Sequence, residues 1–187
     1  MERLTNYRAL LARVDQLAAG ITEKFGSQLA CRAGCDGCCR HLSLHVVEGV
    51  ALAAALQELP GELVAHIRQR ARNAAADDPC PLLEGGLCLL YAARPIICRS
   101  HGLPLLIVTG GKRQVDFCPL NFQGVETLPG GAVIDLEQLN TALAAINALF
   151  AREAGIELPP GEERLTIAEA LLLDVQKLRL YQSDGGH

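Results

Sequence analysis

Apolar residues recur every three or four positions through Leu4, Tyr7, Leu10, Leu11, Val14, Leu17 and Ile21, the spacing of one buried helical face. This predicts an amphipathic helix from Arg3 to about Phe25, ended near Gly26. A second helix, rich in alanine, is expected from Val46 to Leu59, where Pro60-Gly61 stops it, and a third from about Glu62 to Ala76. Asp135 reads as the N-cap of a helix from Leu136 to Glu153, with Leu139, Leu143, Ile146, Leu149 and Phe150 inward and Gly155 just past its end. Thr166-Ile167-Ala168-Glu169 has the spacing of a capping box and opens a last helix to about Leu180, after which the tail from Ser183 should fray.

One stretch reads as β. Leu105–Thr109 and Lys112–Phe117 flank Gly110-Gly111, two apolar runs across a two-residue turn. Between the third helix and this hairpin, Asp77 to about Leu103 is punctuated by Pro79, Pro81, Gly85, Gly86 and Pro95 and reads as mostly irregular. A segment of that length without regular structure inside a compact domain is usually functional. No repeat and no convincing boundary interrupts the chain. The expectation is a single domain over 1–187, mainly α: a helical scaffold with one β-hairpin and a coil-rich cysteine metal-binding lobe at about 31–119.

Composition supports the helical reading. Of 187 residues 50% are hydrophobic but only 4% aromatic, with no Trp, so Ala, Leu, Val and Ile must build the core. The net charge is −4 and no long Lys/Arg run occurs, which argues against nucleic acid as a partner. Arg68, Arg70 and Arg72, with His66, read as a solvated helix face. The first residues lack the apolar core of a secretory signal, and no apolar stretch approaches the ~18 residues of a membrane span. A soluble, cytoplasmic protein without membrane contact is expected.

The chemistry lies in the cysteines. Cys31, Cys35, Cys38 and Cys39 put four thiols in nine residues, and Cys80, Cys88, Cys98 and Cys118 follow in turn-rich settings. In a reducing compartment eight cysteines argue for metal binding or catalysis rather than a disulfide framework. Cys35 and Cys38 have the spacing of a metal knuckle, with Gly37 letting the backbone turn, and Cys31 can reach the same centre. Cys39 differs, because neighbouring side chains diverge in helix and strand alike; Cys38 and Cys39 should serve different centres, or one is a spare. Only one CxxC pair is present, while Cys-Pro occurs at Cys80-Pro81 and Cys118-Pro119, so zinc and an iron–sulfur cluster both stay open. Arg94 and Arg99 bracket Cys98 and could offset thiolate charge. His101, and His41 with His45, are weaker candidates for ligation.

These residues resemble the YkgJ-type cysteine-cluster family, described as a zinc- or iron-chelating domain. The resemblance rests on Cys31, Cys35, Cys38 and Cys39, then Cys80-Pro81-Leu82-Leu83 with Gly86-Leu87-Cys88, then Tyr91, Arg94-Pro95 and Cys98-Arg99, and finally Cys118-Pro119. It implies metal chelation and no particular reaction. A similar cluster occurs in the flagellin lysine methylases, which look like iron–sulfur enzymes. The leading expectation is therefore a metal-chelating protein that binds zinc or iron, with an iron–sulfur cluster as one form. The alternative is an iron–sulfur enzyme of group-transfer or redox type.

Overall fold

Helix α2 (Val46–Leu56) is buried on nearly every side, and the rest of the chain is arranged around it. Its Val46, Val47, Val50 and Ala53 join one hydrophobic cluster with Leu4, Tyr7, Val14 and Ile21 of the chain's start and with Leu139, Leu143 and Phe150. Its Leu52 and Leu56 join a second cluster with Ile67, Ala71, Ile167, Ala170 and Leu171. The computed structural model describes residues 2–125, 127–128, 130–158 and 164–176. Among the described residues there are six α-helices and three small sheets, so the fold is mainly α with some β.

Helix α1 (Thr5–Phe25) buries Tyr7, Val14 and Ile21, one residue every two turns, and leaves Leu17 about half exposed. A short strand β1 (Ser43–His45) leads directly into α2, and α3 (Gly61–Asn73) follows after Pro60. The segment expected to be irregular carries more structure than its prolines suggest. Strands β2 (Leu83–Glu84) and β3 (Leu87–Cys88) form a second hairpin, and α4 (Ile96–Ser100) follows. The hairpin turn is Gly85-Gly86, both at positive φ (57° and 76°), the conformation that a two-residue hairpin turn demands and only glycine takes freely.

The hairpin of β4 (Leu105–Thr109) and β5 (Lys112–Asp116) turns through Gly110-Gly111 and gains a third, parallel strand, β6 (Ile134–Asp135), beside β4. Helix α5 (Leu136–Ala154) starts at Asp135, whose Oδ1 accepts from the N–H of Gln138 at 3.0 Å, and ends at Gly155 in the left-handed region. Ile146 and Leu149 are only half-buried; the fully buried position between them is Asn147, whose Oδ1 accepts from the N–H of Val47 at 3.0 Å.

Strand β7 (Arg164–Thr166) pairs antiparallel with β1, Leu44 opposite Leu165, and sets α6 (Ile167–Leu172) against α2. Thr166 and Glu169 form the expected capping box. The helix is shorter than expected: Leu173 leaves the helical region (φ −58°, ψ 139°) and the chain turns so that Val175 reaches the first cluster while α6 stays in the second. The tail from Ser183 lies outside the described residues. Among the described residues no helix is long and apolar enough to cross a membrane.

Candidate metal centre

The segment after Cys38 is brought to the segment after Asp78 by backbone pairing. The N–H of Cys80 donates to the carbonyl of Cys39 at 3.1 Å, and Arg40 and Pro79 form an isolated antiparallel bridge. The N–H of Leu83 then donates to the carbonyl of Cys80 at 2.9 Å, and Leu83 is paired with Cys88 in the β2–β3 hairpin. Cys39, Cys80 and Cys88 all pack into the second hydrophobic cluster, Cys80 as one of its buried members. Arg70 of α3 clamps this region: its Nε donates to the carbonyl of Pro81 at 2.8 Å and its Nη2 to that of Leu83. Arg70 is thus not part of a solvated face.

Cys98 sits on α4, and Arg94 is the cation beside it. The Arg94 guanidinium lies 3.6 Å from the centre of the Tyr91 ring, and its Nη1 donates to the carbonyl of Cys98 at 3.4 Å. Burial pushes the Cys98 thiol up to about 12, helped by Cys80, Cys88 and Cys39, while Arg94 pulls it down. Burial likewise raises Cys80 to about 11, with Cys88 and Cys39 adding to it. Cys39 is raised first by burial and then by Cys88, and Cys88 is raised by burial against the pull of Arg94. Arg99 has another role. Its side chain is 12% exposed and ties the loop to α1 through Asp15 at 2.8 Å and the carbonyls of Arg94 and Ala92 at 2.6 Å.

The other cysteines gather around Gly102 and Asn121. A Cβ at Gly102 would stand 3.3 Å from Cys31 Sγ and 3.5 Å from Cys118 Cβ. The N–H of Cys118 donates to the carbonyl of Gly102 at 3.4 Å. Asn121 is buried; its Nδ2 donates to the Gly102 carbonyl at 2.7 Å and to Cys31 Sγ at 3.3 Å, and its Oδ1 accepts from the N–H of Ala30 at 2.8 Å. Phe122 holds this loop down in a left-handed conformation (φ 54°) rare for a bulky residue. Its N–H donates to the carbonyl of Gln28 at 2.8 Å, and its ring meets Phe25 and Phe117 edge-on. Cys35 closes a turn through its N–H to the carbonyl of Arg32 at 3.0 Å. Cys38 is raised by burial and then by Cys39, Cys31 and Cys35.

All eight cysteines are free thiols; Cys31 and Cys38 are exposed, Cys80 is buried and the others are half-buried. Among the described residues no group of three or more His, Cys, Asp or Glu side chains is already arranged to hold a metal ion. The donor chemistry nevertheless fits a thiophilic metal: the thiols are unpaired as disulfides, Cys38 is within electrostatic reach of Cys39, Cys31 and Cys35 and Cys98 of Cys80, Cys88 and Cys39, and a guanidinium stands beside two of them. Of the candidate histidines, His41 is otherwise engaged. His41 Nδ1 donates to the carbonyl of Ala75 at 2.9 Å and its Nε2 accepts from the N–H of Ala168 at 3.2 Å, so it pins α6. His45 is the N-cap residue of α2 rather than one of a helical pair, and His101 caps α4 with an exposed side chain.

Asn121 was not singled out by sequence reasoning, and Arg70 was read there only as part of a solvated helix face. Asn121 lies three residues past Cys118, and a polar residue with a short side chain directly after Cys-Pro-Leu is the signal that could have marked it. No curated protein and no solved structure matches the chain. A family model matches residues 30–118, a span that takes in all eight cysteines. Over this stretch the chain is similar to the CxxCxxCC family, described as a putative zinc- or iron-chelating domain.

Proposed function

We propose that the protein chelates zinc or iron through the thiolates of Cys31, Cys35, Cys38, Cys39, Cys80, Cys88, Cys98 and Cys118. What supports this reading is a set of eight free thiols, with Cys39 and Cys80 joined by a backbone bond and Cys31 and Cys118 both beside Gly102. Bound zinc or iron supplies the divalent or cluster charge that lets these thiols ionise and stay ionised. The chain does the rest. Turns at Cys35 and Cys39 present sulfurs from successive short loops. The second hydrophobic cluster keeps water from one side of Cys80. Arg94 lowers the cost of negative charge on Cys98 and Cys88. A reducing cytoplasm, which keeps such thiols free, is where we place the protein.

The test is metal and acid-labile sulfide analysis, with an absorption spectrum, on protein purified without oxygen and without added metal. Brown protein absorbing near ~400 nm with labile sulfide identifies the iron–sulfur form. Colourless protein with stoichiometric zinc identifies the zinc form. Protein that holds neither metal, and takes up neither when it is offered, overturns the proposal.

A further inference from the structure

We infer that the eight cysteines make two separate four-thiol centres, an outer one of Cys31, Cys35, Cys38 and Cys118 and an inner one of Cys39, Cys80, Cys88 and Cys98. The inference rests on the chelation reading above and goes beyond it, since chelation alone does not say how the thiols are shared.

The division follows the packing. Cys39, Cys80 and Cys88 belong to the hydrophobic cluster built from α2, α3 and α6, and Ile97, next to Cys98, packs there too. Three tethers gather these sulfurs from the backbone side: the Cys80–Cys39 hydrogen bond, the Leu83–Cys88 pairing and the Arg94–Cys98 hydrogen bond. Cys31 and Cys118 instead meet across Gly102, under Asn121, at the loop that Phe122 fixes to the end of α1. Cys35 and Cys38 are on the same loop as Cys31, and Cys38 is exposed where its neighbour Cys39 is half-buried in the core cluster.

A tetrahedral metal takes four thiolates, and so does a four-iron cluster. The two groups supply four each. The boundary runs through one peptide bond, between the exposed Cys38 and the half-buried Cys39. Arg94 serves the inner centre, where burial makes excess negative charge most costly; Asn121 serves the outer one by donating to Cys31.

The experiment compares metal per chain in the full-length protein, purified without oxygen from cells supplied with zinc and iron, with that of two double variants. Cys31→Ser with Cys35→Ser is expected to lose half the wild-type metal and to leave Cys39, Cys80, Cys88 and Cys98 protected from alkylation until a chelator is added. Cys80→Ser with Cys98→Ser is expected to lose the other half. Because Cys80 lies in the core, this second variant is judged only if its circular dichroism is native, and the exposed-side variant decides alone otherwise. Loss of all metal from the Cys31/Cys35 variant would mean one shared centre and would overturn the division, as would full retention. Wild-type protein without any metal would instead sink the chelation reading itself.

Discussion

The backbone N–H of Ile96 donates to Oε1 of Glu48 at 3.1 Å, joining the first turn of α4 to the first turn of α2. Oε2 of the same carboxylate accepts from the N–H of His45 at 3.1 Å. Glu48 is 3% exposed, so a single buried side chain sets where α4, and with it Cys98, stands relative to the central helix. Replacing Glu48 by Gln leaves one oxygen for two donors and turns an NH2 group toward the other. The expected loss is about 1–3 kcal/mol, the cost of a buried donor without an acceptor.

The pH dependence of that variant has a definite sign. Burial holds Glu48 above its ordinary value of 4.5, against the lowering effect of its two hydrogen bonds and Arg164. A carboxyl raised in the native state binds its proton more tightly folded than unfolded. Its stabilising contribution is complete below the unfolded value and is lost as pH rises through the native one. Denaturation midpoints of wild type and Glu48→Gln, measured from neutral pH down toward 4.5, should therefore separate further as pH falls. A constant or shrinking gap would contradict the elevated native value.

Gly102 is the point at which Cys31, Cys118 and Asn121 come together, and it has no room for a side chain. Its φ is 87°, and an added Cβ would press on both Cys31 Sγ and Asn121 Nδ2 at 3.3 Å. Gly102→Ala should cost about 1–2 kcal/mol from backbone conformation alone. It should also displace Cys31 and lower the metal held by the group around Asn121. Urea titration and metal analysis of the same preparation measure both; an alanine variant with wild-type stability and metal content would remove Gly102 from this role.

Arg94 stacks on Tyr91 and stands beside Cys88 and Cys98. Arg94→Gln keeps a polar side chain but deletes the charge, and a chelator competition should show metal affinity reduced by about 10–100-fold, the usual effect of losing a partner of a metal ligand. Arg94→Lys retains the charge while giving up the planar stack and should fall between the two. Equal affinities in all three proteins would show that the guanidinium acts only on the loop carbonyls of Tyr91 and Cys98.

The elements with strong local signals were legible in the chain: the α1 stripe of Tyr7, Val14 and Ile21, the Asp135 cap, the Gly110-Gly111 turn. Gly85-Gly86 uses the same turn chemistry and was passed over because Leu83-Glu84 and Leu87-Cys88 are too short to show alternation. A shared pattern also went unread. Leu44-His45-Val46-Val47-Glu48 and Leu165-Thr166-Ile167-Ala168-Glu169 each run strand, N-cap, helix, with a glutamate returning to the cap, and the two strands pair with each other. Pairing across more than a hundred residues has no local trace. Nor does the placement of Asn147 and Asn121, polar residues buried because their partners are backbone groups remote in sequence. The thiols were legible by type and Arg94 by its place beside Cys98, whereas Asn121 and Phe122 meet the loops before Cys31 only in the folded chain.

Two glycines in helices should respond oppositely to alanine, and the comparison tests the α2–α6 contact. In the interior of a helix Gly→Ala gains about 1 kcal/mol from propensity. At Gly20 of α1 an added Cβ meets nothing within 4 Å, so the full gain is expected as a raised melting temperature. At Gly49 of α2 the same atom would stand 3.1 Å from Leu165 Cδ1 and 3.2 Å from Ala170 Cβ. Leu165 can swing its terminal methyl aside, but Ala170 is 0% exposed and has no rotamer to change, so α6 itself must shift. Overpacking of this kind costs about 1–3 kcal/mol, which outweighs the propensity gain. Gly49→Ala should melt below wild type while Gly20→Ala melts above it. A Gly49→Ala protein that gains as much stability as Gly20→Ala would mean that α2 and α6 do not approach as closely as β1 and β7 set them.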